Sequence, residues 1–583
     1  MAKIFSRLIG LETEYAIRFR PADSSAPRMS RYRIYEAVIA SLKQRVLTVR
    51  AKHFKEGVFL ANGGAVWFEA ERPAAGGGLI EGATPECMTP RQLIAHQRAQ
   101  DRLLAEACRT DELNGEAYLI KNDRDARDHV YGAQENYEAN LASGLMLWIW
   151  RIGLVLLFPL ALITWVGIAA CLLATLVYFL LLWLLYILLR RLVSNPLRLA
   201  ETLFGKDLAE GVRSPVWLES LLQIVARLVT APFALGFDAL IRTTVFRDVR
   251  EQLLPFLVTR PVIAGAGLVD RQGNYQLSDK GPAINSVLGF GGFWGNRPIF
   301  NVGHFFKAIY ARVWFSPREY GRLFSSRQRL QIGVGDSNMC EVAEYLRVGT
   351  TLLVLDMIEA GGLRVVPYMS LPVEALHAAC MDLSLRKPVC HVDGAPASPL
   401  QVQRHYYEAC CDFVARLDDA PQEVRFLLNL WRDVLDGLEY FAETGEIRMA
   451  LVGSLDWVTK KYLIEQAGQD ADWQQRKKID IRYHELSSAG YFELLKRAGV
   501  TATLIDEDSI DRASRLPPPG TPATVRGHYI REFSAGDETM TASWTNVIFG
   551  SGWNARVIPL VAGGRRRTRG RKGPRSPRSS GSH

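Results

Sequence analysis

The stretch LIGLETEYAIRF, residues 8–19, alternates apolar and polar side chains and therefore predicts a β-strand. The alternation places Glu12 and Glu14 on one face of the strand, whereas Leu11 and Tyr15 point to the other. Two carboxylates on one face of a sheet can bind a hard cation such as Mg²⁺, which prefers oxygen ligands. The alternative is that both glutamates are solvated charges at the end of a strand.

A second alternating stretch, GAVWFEAE at residues 64–71, belongs to a strand predicted over residues 58–69. Trp67 and Glu69 share one face of this strand, and Glu81 follows after a glycine-rich loop. Mg²⁺ that is bound to nucleotide phosphates needs a few carboxylates plus oxygens of the substrate. The two strands together could supply those carboxylates.

Most of the remaining chain has ordinary helical and strand patterns without an internal repeat. Apolar side chains at helical spacing predict helices over residues 90–109, 401–417 and 421–443, and alternation predicts a further strand over 363–369. These patterns, together with the strands above, predict an α+β fold.

One block of the sequence differs from the rest because residues 152–189, IGLVLLFPLALITWVGIAACLLATLVYFLLLWLLYILL, contain no charge. As one helix at ~1.5 Å per residue this block would be about 57 Å long, nearly twice the ~30 Å hydrocarbon core of a bilayer. We therefore predict two membrane spans, about 145–165 and 168–189, with a reversal near residues 164–167, where Pro159 and Gly167 loosen the helix. The arginines that border the block place both flanks in the cytoplasm under the positive-inside rule. A buried helix pair of a soluble protein is the alternative.

The next segment, residues 196–246, mixes apolar and charged side chains. In WLESLLQIVARLV, from Trp217, leucines and valines recur at helical spacing beside Glu219 and Arg227, which predicts an amphipathic helix. Such a helix could lie in the headgroup plane of a membrane or pack on the protein. The sequence leaves both placements open.

The formal net charge of +9 comes almost entirely from the end of the chain. Eight arginines and lysines and no acid lie between Arg565 and Arg578, in a segment rich in glycine, serine and proline that predicts a disordered basic tail. Such a tail could bind anionic lipid, stay solvated or contact nucleic acid. The nearly neutral body gives no sign of a specific nucleic-acid surface.

The cysteines and the N-terminus indicate in which compartment we expect the protein. The eight cysteines are scattered, without a CxxC pair, so no disulfide framework or zinc site is predicted. The first residues, MAKIFSRLIGLETEY, lack an apolar run of signal-peptide length, so we expect the body to stay in the cytoplasm.

Several short motifs occur in an order that resembles the Pup ligase and Pup deamidase (depupylase) family. They are GLETEY (10–15), VFLANG (58–63), ATPEC (83–87), IKN (120–122), YGAQENY (131–137), LLPFLVTRPVIAGAG (253–267), RPIFN (297–301), VGDSNMCE (334–341) and DWVTKK (456–461). The resemblance covers nearly the whole chain except residues 143–245 and the tail.

The resemblance implies a glutamine synthetase-like fold, an antiparallel sheet flanked by helices, and ATP-dependent chemistry at a glutamate side chain. Carried over position by position, it implies Glu12 and Glu81 as Mg²⁺ ligands and Glu69 as the catalytic carboxylate. It also implies Thr84 and Trp544 as contacts of the nucleotide. Glu14 and Glu71 are the next candidates for the base if Glu69 is not.

The departures from the family lie mainly on one strand, where the family's NGARLYLD reads NGGAVWFE. The ATP-contacting arginine becomes Ala65, the metal-contacting tyrosine becomes Trp67, and the catalytic aspartate becomes Glu69. The histidine of the family's HENY box becomes Gln134, and VGH at residues 302–304 replaces the family's TRDEPH. We expect nucleotide binding to be retained better than turnover.

We therefore predict a membrane-anchored, ATP- and Mg²⁺-dependent carboxylate–amine ligase, or the reverse amidase, that acts on a Pup-like protein and its protein substrates. A catalytically silent membrane receptor for such a modifier and a small-molecule glutamyl ligase are the alternatives. The predicted divisions are a catalytic body in two parts (1–142 and 247–500), a membrane insertion (143–246), a small C-terminal domain (501–562) and the basic tail (563–583).

Overall fold

A computed structural model describes residues 4–23, 29–53, 55–69, 78–193, 195–204, 216–290, 295–310, 317–468, 470–536 and 538–560. The predicted basic tail and Glu71 lie outside the described residues. Of the glycine-rich loop before Glu81, only Gly78 is described.

Thirteen strands of the described chain join in one mixed sheet. Its strand order is β10-β11-β12-β7-β1-β5-β4-β3-β2-β15-β16-β17, and β6 pairs with the far end of β1. Most neighbours are antiparallel, as predicted, but β10–β11 and β15–β2 are parallel. The strands are β1 Ile9–Pro21, β2 Thr48–Ala51, β3 Gly57–Leu60, β4 Ala65–Glu69, β5 Leu79–Ala83, β6 Gly115–Ile120, β7 Gln134–Asn140, β8 Leu268–Val269, β9 Tyr275–Gln276, β10 Ser286–Gly289, β11 Pro298–Asn301, β12 Arg327–Ile332, β13 Cys390–Val392, β14 Ala395–Ala397, β15 Met540–Ala542, β16 Asn546–Phe549 and β17 Arg556–Pro559.

Helices surround the sheet and confirm the α+β class. They are α1 Arg31–Arg45, α2 Pro90–Ala107, α3 Gly144–Leu189, α4 Pro196–Phe204, α5 Val216–Thr244, α6 Arg247–Thr259, α7 Pro261–Ala264, α8 Gly303–Tyr310, α9 Pro317–Arg322, α10 Glu341–Glu359, α11 Pro372–Met381, α12 Pro399–Ala415, α13 Gln422–Thr444, α14 Asp456–Gln466, α15 Trp473–Tyr483, α16 Tyr491–Arg497, α17 Glu507–Arg515 and α18 Pro522–Phe533. The predicted helices 90–109, 401–417 and 421–443 correspond to α2, α12 and α13.

Side chains of β1 alternate between the two faces of the sheet, as predicted. Tyr15 and Val66 belong to a buried apolar cluster that packs against α1 and α2, which contribute Val38 and Leu104 among others. Glu12 and Glu14 point to the opposite face. The helices therefore cover one side of this part of the sheet and leave the glutamates on the other.

Two strand predictions need correction. Residues 58–69 form two strands rather than one, because the chain reverses between β3 and β4 and Gly63 there has a φ of +88°, which favours glycine. Residues 363–369 form no strand; only Tyr368 makes an isolated bridge, to His391. Only this one residue of the stretch pairs with β13, so the alternation does not extend into a strand.

A buried ion pair connects the sheet to the helices. Arg260, which follows α6, donates to both carboxylate oxygens of Glu135 on β7, at 2.6 and 2.9 Å, and to Thr351 Oγ1 at 2.7 Å. Both charged side chains are almost fully buried. Burial alone would raise the pKa of Glu135, but Arg260 and Arg347 hold it below its usual range.

Two further buried carboxylates fix the loops around this pair. Asp336 accepts hydrogen bonds from the backbone N–H groups of Ala266, Asp279 and Lys280, at 2.7–3.0 Å. Asp456 accepts from the backbone N–H groups of residues 339 and 340 and from the Asn338 side chain, at 2.9–3.0 Å. Distant segments of the chain are thereby held together by charge-assisted hydrogen bonds.

The predicted reversal near residues 164–167 is wrong. These residues lie inside α3, a single helix of 46 residues, about 69 Å long at ~1.5 Å per residue. Thr164 and Trp165 are buried rather than exposed at a turn. Pro159, which suggested a loosened helix, lies inside α3 without ending it.

The second arm of the hairpin is α5, in the segment predicted to be amphipathic. The two helices run antiparallel with close contacts at glycines, since a Cβ on Gly153 would lie 2.6 Å from Leu240 and one on Gly167 would lie 2.3 Å from Val229. Small residues at such positions let two helices approach closely. Pairing of α3 with α5 therefore takes the place of the reversal within α3.

The base of the hairpin docks on the body. Trp150 Nε1 donates to the carbonyl of Leu323 at 2.7 Å, and the hydroxyl of Tyr320 donates to the carbonyl of Leu154 at 2.6 Å. The two ends of the insertion meet, because the Phe246 N–H donates to the carbonyl of Leu141 at 2.6 Å. The insertion thus leaves and re-enters the body at one place.

We expect Arg260→Met to destabilise the protein by about 3–5 kcal/mol, because it leaves the buried Glu135 carboxylate without its partner. Chemical denaturation followed by tryptophan fluorescence measures this loss. Arg247→Met is the matched control: its ion pair with Glu251 is exposed, so the change should be about 1 kcal/mol or less. Equal effects of the two substitutions would contradict a central role for the buried pair.

Candidate active site

The predicted carboxylates come together on the sheet face opposite α1 and α2. The register pairs Glu14 with Glu81 across β1 and β5, and Glu81 with Trp67 across β5 and β4. Paired residues on neighbouring strands share a face, so Glu12 and Glu69 project to this side as well. The predicted sharing of faces is confirmed.

Glu12 is held by polar side chains of β12. Arg329 Nη2 donates to Glu12 Oε1 at 2.8 Å, and Gln331 Nε2 donates to Glu12 Oε2 at 3.2 Å. Gln134, at the position of the family's histidine, lies opposite Glu12 and hydrogen-bonds to Gln331. This end of the face is therefore a polar network with one guanidinium.

Glu14 lies beside Glu81 and is half-buried, and its one hydrogen bond among the described residues comes from the Gly132 N–H, at 2.8 Å. Burial, followed by the negative charge of Glu81, raises the pKa of Glu14 to about 8. Burial also raises the pKa of Glu81. The face therefore carries more carboxylates than its present partners can keep ionised at neutral pH.

A lysine that the sequence interpretation missed lies among these carboxylates. Lys55, in the connection between β2 and β3, makes ion pairs with both Glu69 and Glu81. The Lys55 side chain is 21% exposed and that of Glu69 is 35% exposed. Nothing in the local sequence pattern singles out Lys55, because its position depends on the path of the connection.

The donors on this face suit Mg²⁺ in kind, since they are carboxylate oxygens. As they stand, however, no three acidic, histidine or cysteine side chains of the described chain are grouped to hold a metal ion. Glu12 is turned to Arg329, whereas Glu69 and Glu81 are held by Lys55. Glu12 and Glu81 would hold the ion only after these partners have shifted.

An aromatic cluster lies beside the carboxylates. Trp544 contacts Trp67 and Phe59 edge-on, with ring centroids 6.1 and 5.0 Å apart. The Arg526 guanidinium lies 4.8 Å from the centre of the Trp544 ring and pairs with Glu86. Trp544 is thereby fixed next to Trp67, and its role as a nucleotide contact stays a prediction.

Trp67 and Thr84, which lie at positions where the family contacts the metal and the nucleotide, differ in their hydrogen bonding. The indole N–H of Trp67 is buried and has no hydrogen-bond partner among the described residues. Thr84 follows β5, is buried, and its hydroxyl accepts a hydrogen bond from the Leu11 N–H at 3.0 Å. The Thr84 side chain therefore joins β5 to β1, and its role as a nucleotide contact stays a prediction.

The mixed sheet, with α1 and α2 on one face and a row of carboxylates on the other, agrees with the glutamine synthetase-like fold that the sequence resemblance implied. The chain belongs to the Pup-ligase protein family, whose model matches residues 7–548. A Pup--protein ligase of Corynebacterium jeikeium (strain K411) is 27% identical over 567 residues, which covers 94% of this chain and 93% of the relative. A Pup--protein ligase of Mycobacterium sp. (strain KMS) is 25% identical, with 93% of each chain covered.

Solved structures agree with this fold. A crystal structure of Pup in complex with its ligase PafA has a TM-score of 0.63 and 20% identity, and covers 97% of this chain and 91% of that one. The Pup ligase PafA in complex with ADP has a TM-score of 0.56 and 19% identity, with 93% and 94% covered. These relatives are named as ligases, so the deamidase alternative gains no support from them.

We expect the stability of the metal-free protein to fall more steeply with rising pH, or to rise less, than that of Glu14→Gln, because burial and Glu81 raise the pKa of Glu14 on folding. A carboxyl whose pKa is raised on folding binds more protons in the folded state. Its contribution is therefore full below the ordinary pKa of 4.5 and is lost as the pH rises through about 8. Each unit of pKa shift corresponds to about 1.4 kcal/mol.

Denaturation midpoints at about pH 5.5 and 8.5, in a metal chelator, measure this effect. Glu138→Gln is the control, because Glu138 is a partly exposed carboxylate on β7 that should leave the pH dependence unchanged. If Glu14→Gln loses stability with pH as steeply as the unmodified protein does, the charge crowding assigned to Glu14 is wrong.

Proposed function

We propose that this protein is an ATP-dependent ligase that joins the C-terminal glutamate of a Pup-like protein to a lysine of a protein substrate. Membership of the Pup-ligase family supports the proposal, as do relatives named Pup--protein ligase that align over nearly the full chain. The observation that carries it is the row of carboxylates beside the aromatic cluster of Trp67 and Trp544 on one sheet face.

The chemistry explains why such a face is needed. A carboxylate is a poor acyl donor until one of its oxygens becomes part of a leaving group. Transfer of the γ-phosphoryl group of ATP to the glutamate side chain gives an acyl phosphate and ADP. Attack by a lysine amine then forms the amide bond and releases phosphate.

Each residue has a proposed task in this scheme. Glu69, which is partly exposed, accepts the proton that the attacking amine loses. Trp544 contacts the nucleotide beside the carboxylates. Mg²⁺, held by Glu12 and Glu81, would neutralise negative charge on the phosphate oxygens.

A catalytically silent receptor for the modifier is the second candidate. Its support is that Lys55 already pairs with Glu69 and Glu81, and that Ala65 stands where the family has an ATP-contacting arginine. A face whose carboxylates stay paired with lysine would bind a modifier without turning over ATP. A small-molecule glutamyl ligase would instead release ADP without a protein modifier.

We expect Glu69→Gln to abolish conjugation while sparing ATP binding, because it removes the proton acceptor and keeps the side-chain size. Glu12→Ala should weaken both, since it removes a proposed Mg²⁺ ligand. Purified variants are incubated with ATP, Mg²⁺ and a Pup-like protein, and conjugates and nucleotide affinity are measured. Glu138→Gln, on the same sheet, should behave as the unmodified protein does. Full activity of Glu69→Gln would place the base elsewhere, with Glu14 next.

We also propose that the α3–α5 hairpin anchors the protein in the cytoplasmic membrane, with both ends of the insertion on the cytoplasmic side. By length and composition, the described chain has two helices able to cross a membrane, residues 144–189 and 220–244. The part of α3 beyond Trp165 is largely exposed and apolar, and its 24 residues are about 36 Å long, close to the ~30 Å of a bilayer core.

The hairpin fits lipid better than water for a further reason. Its exposed side chains include Leu173, Leu181 and Trp183 on α3 and Leu228 on α5, a larger apolar surface than single scattered residues would give. The tail after residue 562 would add electrostatic attachment to anionic lipid.

Removing the outer part of the hairpin should release the protein from membranes. Gly167 and Val229 are adjacent, so residues 168–228 can be replaced by a short glycine-rich turn that keeps the docked base. We expect this variant in the soluble fraction, with its ATP affinity retained, and the full chain in the membrane fraction. In the full chain, the thiol of Leu192→Cys, just beyond the end of α3, should react with a membrane-impermeant thiol reagent added outside cells. Release into the soluble fraction of the full chain as well would contradict anchoring.

A further inference from the structure

The described residues of the connection between β2 and β3 are 52, 53, 55 and 56, and their contacts hold it against the carboxylate face. The Lys52 N–H donates to the carbonyl of Ala542 at 2.6 Å, and the Tyr32 hydroxyl donates to Glu56 Oε2 at 2.8 Å. The His53 ring stacks on Trp67, with centroids 4.8 Å apart and planes 11° apart. The connection therefore has contacts before, within and after the stretch that carries Lys55.

Lys55 places one positive charge between two carboxylates of neighbouring strands. Its ammonium group contacts both Glu69 and Glu81, and the Glu81 side chain is only 6% exposed. A divalent cation that used Glu81 as a ligand would need the same oxygen-lined space. The Lys55 ammonium group and a divalent cation cannot both occupy the space beside Glu81, because two positive charges in contact with the same carboxylate repel each other strongly.

We propose that Lys55 is a tethered cation that holds Glu69 and Glu81 together in the metal-free protein and must move away before a divalent cation binds there. The inference rests on the proposed function in one respect, the assignment of Glu81 as a ligand of that cation. It makes the β2–β3 connection a controlling element of the site. The stacking of His53 on Trp67 favours the position of the connection in which Lys55 pairs with Glu69 and Glu81.

Binding of Mn²⁺ to the full-length protein, measured by electron paramagnetic resonance without nucleotide, tests the proposal independently of activity. We expect Lys55→Met to bind Mn²⁺ about tenfold more tightly or better, because the metal no longer displaces a charge-assisted bond. Lys55→Arg keeps the charge and should bind as the unmodified protein does. Lys52→Met removes one charge from the same connection without touching the carboxylates, and should also leave the affinity unchanged.

The melting temperature, measured with and without Mn²⁺, distinguishes a change in metal binding from a folding defect. Without metal, Lys55→Met should melt at a lower temperature, since Glu69 and Glu81 lose their common partner, and Mn²⁺ should raise its melting temperature more than that of the unmodified protein. Equal or weaker Mn²⁺ binding by Lys55→Met, or Mn²⁺ binding by none of the proteins, overturns the proposal. ADP formation by the unmodified protein is measured separately, so a failed ligase assay does not count against Lys55 and a failed Lys55 test does not count against the ligase.

Discussion

The crowding of negative charge on one face of the sheet is the constraint on which the rest of the site depends. Glu12, Glu14, Glu69 and Glu81 come from three strands and act on one another electrostatically. In a partly buried setting such a group cannot stay fully ionised without cations nearby. The surrounding elements supply them, Arg329 from β12 and Lys55 from the β2–β3 connection. The same need for positive charge would suit the face to the metal–nucleotide complex proposed above.

The buried framework behind this face explains how the chain tolerates a long insertion. Arg260 and Glu135 join the end of α6 to β7, the strand next to β1. The insertion enters after β7 and leaves just before α6, and its two ends are hydrogen-bonded to each other through Leu141 and Phe246. The hairpin is therefore added at the edge of the framework. The Arg260–Glu135 ion pair joins the segment that precedes the insertion to the segment that follows it.

Which features could be predicted from the sequence depends on how far apart along the chain the interacting residues lie. Alternation along a strand is a local property, so the shared face of Glu12 and Glu14 and that of Trp67 and Glu69 were predictable. The position of Lys55 depends on the path of a connection that has no repeating pattern, and it was missed. The reversal within α3 was inferred from Pro159 and Gly167, which loosen a helix locally. In the structure α3 continues through both residues, and Gly167 packs against Val229 of α5, a helix that is distant in sequence. A contact between two such segments cannot be predicted from the sequence of one of them.

The central claim is that this face activates the glutamate of a protein modifier at the expense of ATP. The most direct measurement incubates the purified full-length protein with ATP, Mg²⁺, a lysine-bearing protein substrate and a Pup-like protein ending in glutamate, and quantifies ADP and conjugate together. The account predicts that ADP and isopeptide-linked conjugate form in equal amounts, and that neither forms in quantity without the modifier. ATP binding without ADP formation, or ADP formation that ignores the modifier, would contradict it.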